Sequence, residues 1–134
     1  MFDIVDSPTS KAMITDFYNN RKLLSGICHG SAAFAHVNAP GSDSSILTGH
    51  DVTGVSQDEV DKLFPLTKIE EPWSVEGELR KAVGGGSYQK AGEAFGGKVV
   101  RSEGKDGRVF ITGQNPASGS ELGEVIYQEL FGSR

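Results

Sequence analysis

A chain of 134 residues has room for one domain with a real core, and an apolar content of 37% is ordinary for a globular fold. The net charge of −5 argues against a nucleic-acid or anionic-membrane surface, and no run of like charges marks a binding tail. The single cysteine excludes an internal disulfide and suits a reducing compartment. No signal peptide and no apolar stretch of membrane length is legible, so a cytoplasmic single domain over residues 1–134 is the expectation.

Taken in order, Met1–Ser10 reads as a loop with Pro8 near a helix start. Met13/Phe17 and Ile14/Tyr18, each four apart, predict an amphipathic helix over 10–20 that ends at Asn19-Asn20. A short apolar run, Leu23 to Ile27, predicts a strand leading into a helix that fades near Val37. Ile46-Leu47 and Asp51–Val55 read as two short strands joined by Thr48-Gly49-His50 in a hairpin. Ser56-Gln57-Asp58-Glu59 is a capping box, with Val60, Leu63 and Phe64 forming the apolar stripe behind it and Pro65 ending the helix.

Ser74 caps a further helix over 75–83, which ends at Gly84-Gly85-Gly86. Ser87–Ala91, Lys98–Arg101 and Val109–Thr112 are predicted strands, the last two flanking the turn-rich 103–107 stretch. Asn115-Pro116 opens a final helix to about Leu130, with Leu122, Val125, Ile126 and Leu130 inward. Alternating strands and helices predict an α/β fold with a parallel sheet and helices on both faces. The 18 glycines point to tight turns, and no repeat or low-complexity linker is present.

The stretch that could do chemistry is Lys22–Val37. Gly26-Ile27-Cys28-His29-Gly30 has the spacing of a nucleophile elbow, with cysteine where hydrolases keep serine. A sharp strand-to-helix turn strains the nucleophile's backbone, and a Cβ at Gly26 or Gly30 is expected to clash. A helix N-terminus behind the thiol is expected to lower its pKa. A lone cysteine after an apolar run is otherwise a small buried hydrophobe; the flanking glycines favour the reactive reading. His29 offers a backbone N–H to an oxyanion and a side chain to shuttle protons.

Glu59 is the first choice of acid, since it lies where open α/β sheets gather site residues, although its capping box alone explains it; Asp58 and Asp61 are its rivals. His36 and His50 read as surface residues, and no spacing suggests a metal site. Gly84–Ser87 lacks the Gly-Lys-Ser/Thr closure of a phosphate loop. Trp73 reads as a core or rim aromatic rather than a pocket wall. Thr112–Ser118 could border a ligand, but capping explains most of it.

Together, Gly26–Gly30 with Ala32-Ala33, Leu47–Gly54 (LTGHDVTG) and Ile111–Ser118 (ITGQNPAS) resemble the ThiJ/PfpI superfamily, in its glyoxalase III-like, heat-shock-associated branch. Met1-Phe2-Asp3 resembles the end of the family's glycine loop. The resemblance implies a flavodoxin-like, class I glutamine-amidotransferase-like fold that is N-terminally truncated, without the opening βαβ segment. The family's early glutamate and second oxyanion donor belong to that segment.

The resemblance further implies conversion of methylglyoxal, a small aldehyde, to D-lactate without metal, cofactor or glutathione. Cys28 would form the hemithioacetal, His29 would shuttle the proton and Glu59 would orient it. The family's third acid falls by counting at Val60, between Glu59 and Asp61, and Ser31 stands where the family usually has proline. Relatives imply a homodimer and a chaperone-like activity, so a non-catalytic chaperone-like or redox-sensing relative is the second reading. A glutamine-amidotransferase-type amidohydrolase keeps its histidine far downstream, whereas no histidine follows His50.

Overall fold

The computed structural model describes residue 1 and residues 3–132. Phe2, in the middle of the Met1-Phe2-Asp3 run, lies outside the described residues, as do Ser133 and Arg134. Ser7 caps α1 (Pro8–Asn19), its hydroxyl accepting from the Ser10 N–H at 3.3 Å, and Pro8 sits at N1 where its missing N–H costs nothing. Then come β1 (Leu24–Ile27), a 3₁₀ turn (Cys28–Ser31), α2 (Ala32–Ala35), α3 (Gln57–Thr67) and α4 (Val75–Ala82). The chain closes with β2 (Val99–Glu103), β3 (Val109–Gly113), a 3₁₀ turn (Pro116–Ser118) and α5 (Gly119–Phe131).

The fold is α/β, with a small mixed sheet in the order β1-β3-β2. β1 runs parallel to β3, pairing Leu24 with Phe110 and Gly26 with Thr112, but β2 runs antiparallel to β3. The expectation of a wholly parallel sheet is therefore corrected, because residues 104–108 join β2 and β3 as a tight hairpin, with Gly107 at φ +79°. Side chains alternate across β3. Phe110 meets Phe34 of α2 edge-on at 5.7 Å, while a methyl group at Gly113 would lie 3.3 Å from Leu122 of α5. The main core gathers Phe110, Leu24, Phe34, Leu47, Val52 and Leu79 on the first face.

Four local expectations change. Residues 46–55 form no hairpin: Ile46 donates to Val37 O, and Val52 bridges in parallel to Tyr88. Its apolar side chains are core, but their backbone partners are distant loops, which periodicity does not reveal. Ser87–Ala91 is accordingly a bridge rather than a strand. The Gly84–Gly86 turn exists for close approach, since a methyl group at Gly86 would fall 2.0 Å from His50 O. Pro65 does not end α3, which runs to Thr67 with Lys68 as a left-handed cap; the carbonyl deprived of a donor is that of exposed Asp61. In α5 only Leu122 is buried, Val125 and Ile126 are half-buried, and Leu130 is exposed.

Candidate functional site

β1 delivers the chain to Cys28 in the left-handed region, φ +75°, and the 3₁₀ turn carries it into α2. For a residue with a Cβ this costs about 1–3 kcal/mol, which the surrounding packing must hold. A methyl group at Gly26 would lie 3.0 Å from the Phe34 ring and 3.1 Å from Ser31 Cα, so the elbow needs that glycine. Gly54 closes the turn from behind: its added methyl would reach 2.7 Å from Leu79 Cδ1 and 3.2 Å from Cys28 O. Gly30 corrects the expectation, because nothing lies within 4 Å of an added Cβ there. Gly26→Ala should therefore cost about 1–3 kcal/mol, and Gly30→Ala less than about 0.5, in urea-unfolding midpoints. Equal losses at both positions would contradict this packing.

His29 stands beside the thiol, with Nδ1 3.5 Å from Cys28 Sγ. Its Nε2 meets Glu71 Oε1 at 2.5 Å, and the Glu71 side chain is only 6% exposed. A carboxylate on Nε2 holds the proton there, so Nδ1 presents its lone pair to the thiol. Phe64 of α3 packs against the imidazole at 5.8 Å between ring centroids. Glu71 lies 42 residues after His29, in the turn between α3 and α4, and the sequence analysis missed it. Its only sequence signal is an acidic pair ahead of Pro72, which many surface turns share.

The thiol pKa moves opposite to expectation. Burial pushes Cys28 up, the charges of Glu59 and Glu71 add to the rise, and the backbone N–H of His29 opposes it. The reason is geometric: one 3₁₀ turn and a four-residue helix supply little dipole against desolvation. Cys28 rests as a thiol beside the His29 ring.

Glu59 does not touch His29. Its buried carboxylate accepts from the Ser56 N–H and hydroxyl (both 2.9 Å), Gln114 Nε2 (3.0 Å), Asn115 Nδ2 (2.6 Å) and the Phe95 N–H (3.1 Å). Burial alone would raise this carboxyl, but those donors outweigh it and hold it below the ordinary range. The Gln114–Ser118 segment is thus a polar latch: Gln114 also accepts from the Ala91 N–H, and Asn115 donates to Gly96 O. Of the rival acids, Asp58 pairs with Lys90 at 3.0 Å and Asp61 accepts from Gln57 at 2.8 Å, both facing outward.

The other histidines are corrected too. His50 is 5% exposed, packs against Phe110 at 4.7 Å and meets the Ser102 hydroxyl through Nδ1 at 3.1 Å. Burial pushes its pKa down, with nearby Asp106 and Asp51 opposing. The unfolded chain then binds the extra proton first, so His50 should make stability fall as pH drops below about 6.5. His50→Gln should flatten that part of a pH–urea midpoint series. His36 is half-buried, holding Glu78 at 2.9 Å and stacking near Trp73 at 5.0 Å.

Beyond Glu71 opens a cleft of about 740 Å³, walled by Val60, Phe64, Ile69 and Trp73, so Trp73 does border a pocket. Among the described residues no group of three or more metal-ligating side chains converges, and no helix is long and apolar enough to cross a membrane.

No family model matches the chain. Among curated proteins, it is 27% identical over 134 residues to a probable glutathione-independent glyoxalase, hsp3103, of Schizosaccharomyces pombe, covering 97% of this chain and 49% of that one. It is 25% identical over 133 residues to glyoxalase 3 of Candida albicans, covering 94% and 51%. Among solved structures, the Francisella tularensis Rapid Encystment Protein 24 KDa superposes with a TM-score of 0.79 at 30% identity, over 97% of this chain and 53% of that one. Glyoxalase III of Candida albicans superposes at 0.68 and 22% identity, over 93% and 50%.

The α/β sheet that feeds the Cys-His elbow thus lies in a chain similar, over nearly all of its length, to proteins named as glyoxalases and to the Francisella tularensis structure. The chain spans about half the length of the curated relatives it matches.

Proposed function

We propose that this chain carries the thiol-and-base half of a glutathione-independent glyoxalase site, acting on methylglyoxal to give D-lactate. The observation that supports this best is the connected set Cys28 Sγ, His29 Nδ1, His29 Nε2 and Glu71 Oε1, at 3.5 and 2.5 Å. His29 Nδ1 takes the thiol proton as sulfur attacks the aldehyde carbon, and the imidazolium returns it to the new oxygen, leaving a hemithioacetal. Nδ1 then removes the hydrogen from the former aldehyde carbon to give an enediolate and delivers it to the neighbouring carbon, while the hydroxyl proton passes to that carbon's oxygen, forming a lactoyl thioester. Water cleaves the thioester to lactate and frees the thiol; the net change is the addition of one water. Glu71 stabilises the imidazolium at each transfer, worth about 10²–10⁴-fold for a well-placed base. The His29 backbone N–H already lies against the sulfur and suits a developing oxyanion.

The test is D-lactate formation from methylglyoxal by the 134-residue chain without glutathione, beside Cys28→Ala. Turnover that disappears in the variant supports the proposal. A folded sample with no turnover overturns it and puts the non-catalytic, chaperone-like reading ahead. The raised thiol pKa speaks against a redox sensor, since sensing cysteines rest as thiolates.

A further inference from the structure

We infer that the cleft beyond Glu71 is a binding site for a small amine, whose ammonium group bonds the free oxygen of Glu71 and whose body is aromatic or branched apolar. Glu71 gives Oε1 to His29, yet among the described residues its second oxygen, Oε2, receives no hydrogen bond, and the carboxylate joins no lysine or arginine. The side chain is nevertheless only 6% exposed. A carboxylate so far withdrawn from water, with one oxygen lacking a donor, is left with a desolvation cost that a ligand can relieve. The buried side-chain atoms without a partner among the described residues are Ser31 Oγ and Thr53 Oγ1. Oε2 therefore keeps an opening, and the opening that Glu71 lines is the cleft.

At about 740 Å³ the cleft has the size of a small-molecule site. Its walls set the body of the ligand: Phe64 and Trp73 are aromatic, and Val60 and Ile69 are branched, with Ile69 49% exposed. Its polar lining sets the charge. Asp61, Glu70 and Glu71 stand there against one cation, Lys68, which pairs with none of them among the described residues. An anion would meet three carboxylates, whereas an ammonium gains a charge-assisted bond to Oε2 and can lie against an aromatic ring. A hydroxyl would also satisfy Oε2, but it leaves the excess of negative charge unanswered.

Occupancy bears on the elbow. The carboxylate that takes the ammonium also meets His29 Nε2 at 2.5 Å, so a cation on Oε2 withdraws part of the support for an imidazolium. His29 then takes the Cys28 proton less readily, and the thiolate becomes scarcer. The amine is thus an inhibitor of the thiol. This holds for any thiolate chemistry at Cys28, whether or not the glyoxalase reading stands.

The experiment titrates the full 134-residue chain with phenethylammonium chloride and follows the fluorescence of Trp73, its one tryptophan, with the heat of binding measured alongside. A saturable change is expected, with a Kd of about 1 mM for a ligand of about nine heavy atoms. Glu71→Gln should weaken binding about tenfold or more and Ile69→Ala about threefold, while hydrocinnamate, with a similar body and the opposite charge, should not bind. Saturating amine should slow alkylation of Cys28 by iodoacetamide about threefold or more in the parent chain and leave the rate in Glu71→Gln unchanged. Equal binding of amine and carboxylate, unaltered affinity in Glu71→Gln or Ile69→Ala, or neither fluorescence change nor heat up to about 50 mM would overturn the inference. Binding that left alkylation of the parent chain unchanged would overturn it as well, since the amine would then not sit on Glu71.

Discussion

Glu71→Gln is expected to lower the rate of D-lactate formation about 10²-fold, with the substrate KM changed only a few-fold and the fold intact. The substitution keeps the shape and leaves an oxygen for the His29 Nε2–H, so the ring stays in place. What it removes is the negative charge 2.5 Å from Nε2, and with it the stabilisation of the imidazolium formed at each proton transfer. The loss should therefore appear in kcat, where the imidazolium forms during proton transfer. The comparison variant is Glu59→Gln, whose carboxylate does not touch His29. If a folded Glu59→Gln protein lost turnover while Glu71→Gln kept it, the acid of this site would be Glu59 after all.

Glu59→Ala should instead act on stability, by about 3–5 kcal/mol, because it strands five donor groups around one buried carboxylate. Against the 5–15 kcal/mol typical of a domain, such a loss can leave much of the chain unfolded at 37 °C. The effect carries a pH signature. The folded carboxyl titrates below its ordinary value of 4.5, so the unfolded chain protonates first on acidification. Its contribution is complete above about pH 4.5 and is lost as pH falls through the folded value. Glu76, half of an ion pair with Arg80 at 2.7 Å, is lowered as well and adds to the same limb. Urea midpoints from pH 7 to 3 should fall steeply for the parent chain and less steeply for Glu59→Gln. Parallel curves would sink the latch.

The capping box at Ser56 shows what local sequence can specify. Ser, then Glu at N3, ahead of an apolar stripe, and a reciprocal pair of hydrogen bonds is what forms. Yet the same glutamate was read as an acid for His29, because its three distant donors, Gln114, Asn115 and the Phe95 N–H, come from segments that only the fold brings together. Glu71 is the mirror case. Nothing local distinguishes it from other turn glutamates, and it becomes the partner of His29 only because α3 ends beside the elbow. His50 looked polar and exposed by residue type, and was buried by a loop whose path depends on Gly86 pressing against its carbonyl.

By itself, the sequence determined the elbow, the helix caps at Ser56 and Ser74 and the α/β class. Each of these rests on residues a few positions apart, whose spacing sets backbone geometry directly. The tertiary structure alone decided which carboxylate meets His29, which elbow glycine is needed, and whether the thiol pKa rises or falls. Those depend on desolvation and on contacts made across tens of residues, quantities that arise only when the chain has closed around Cys28.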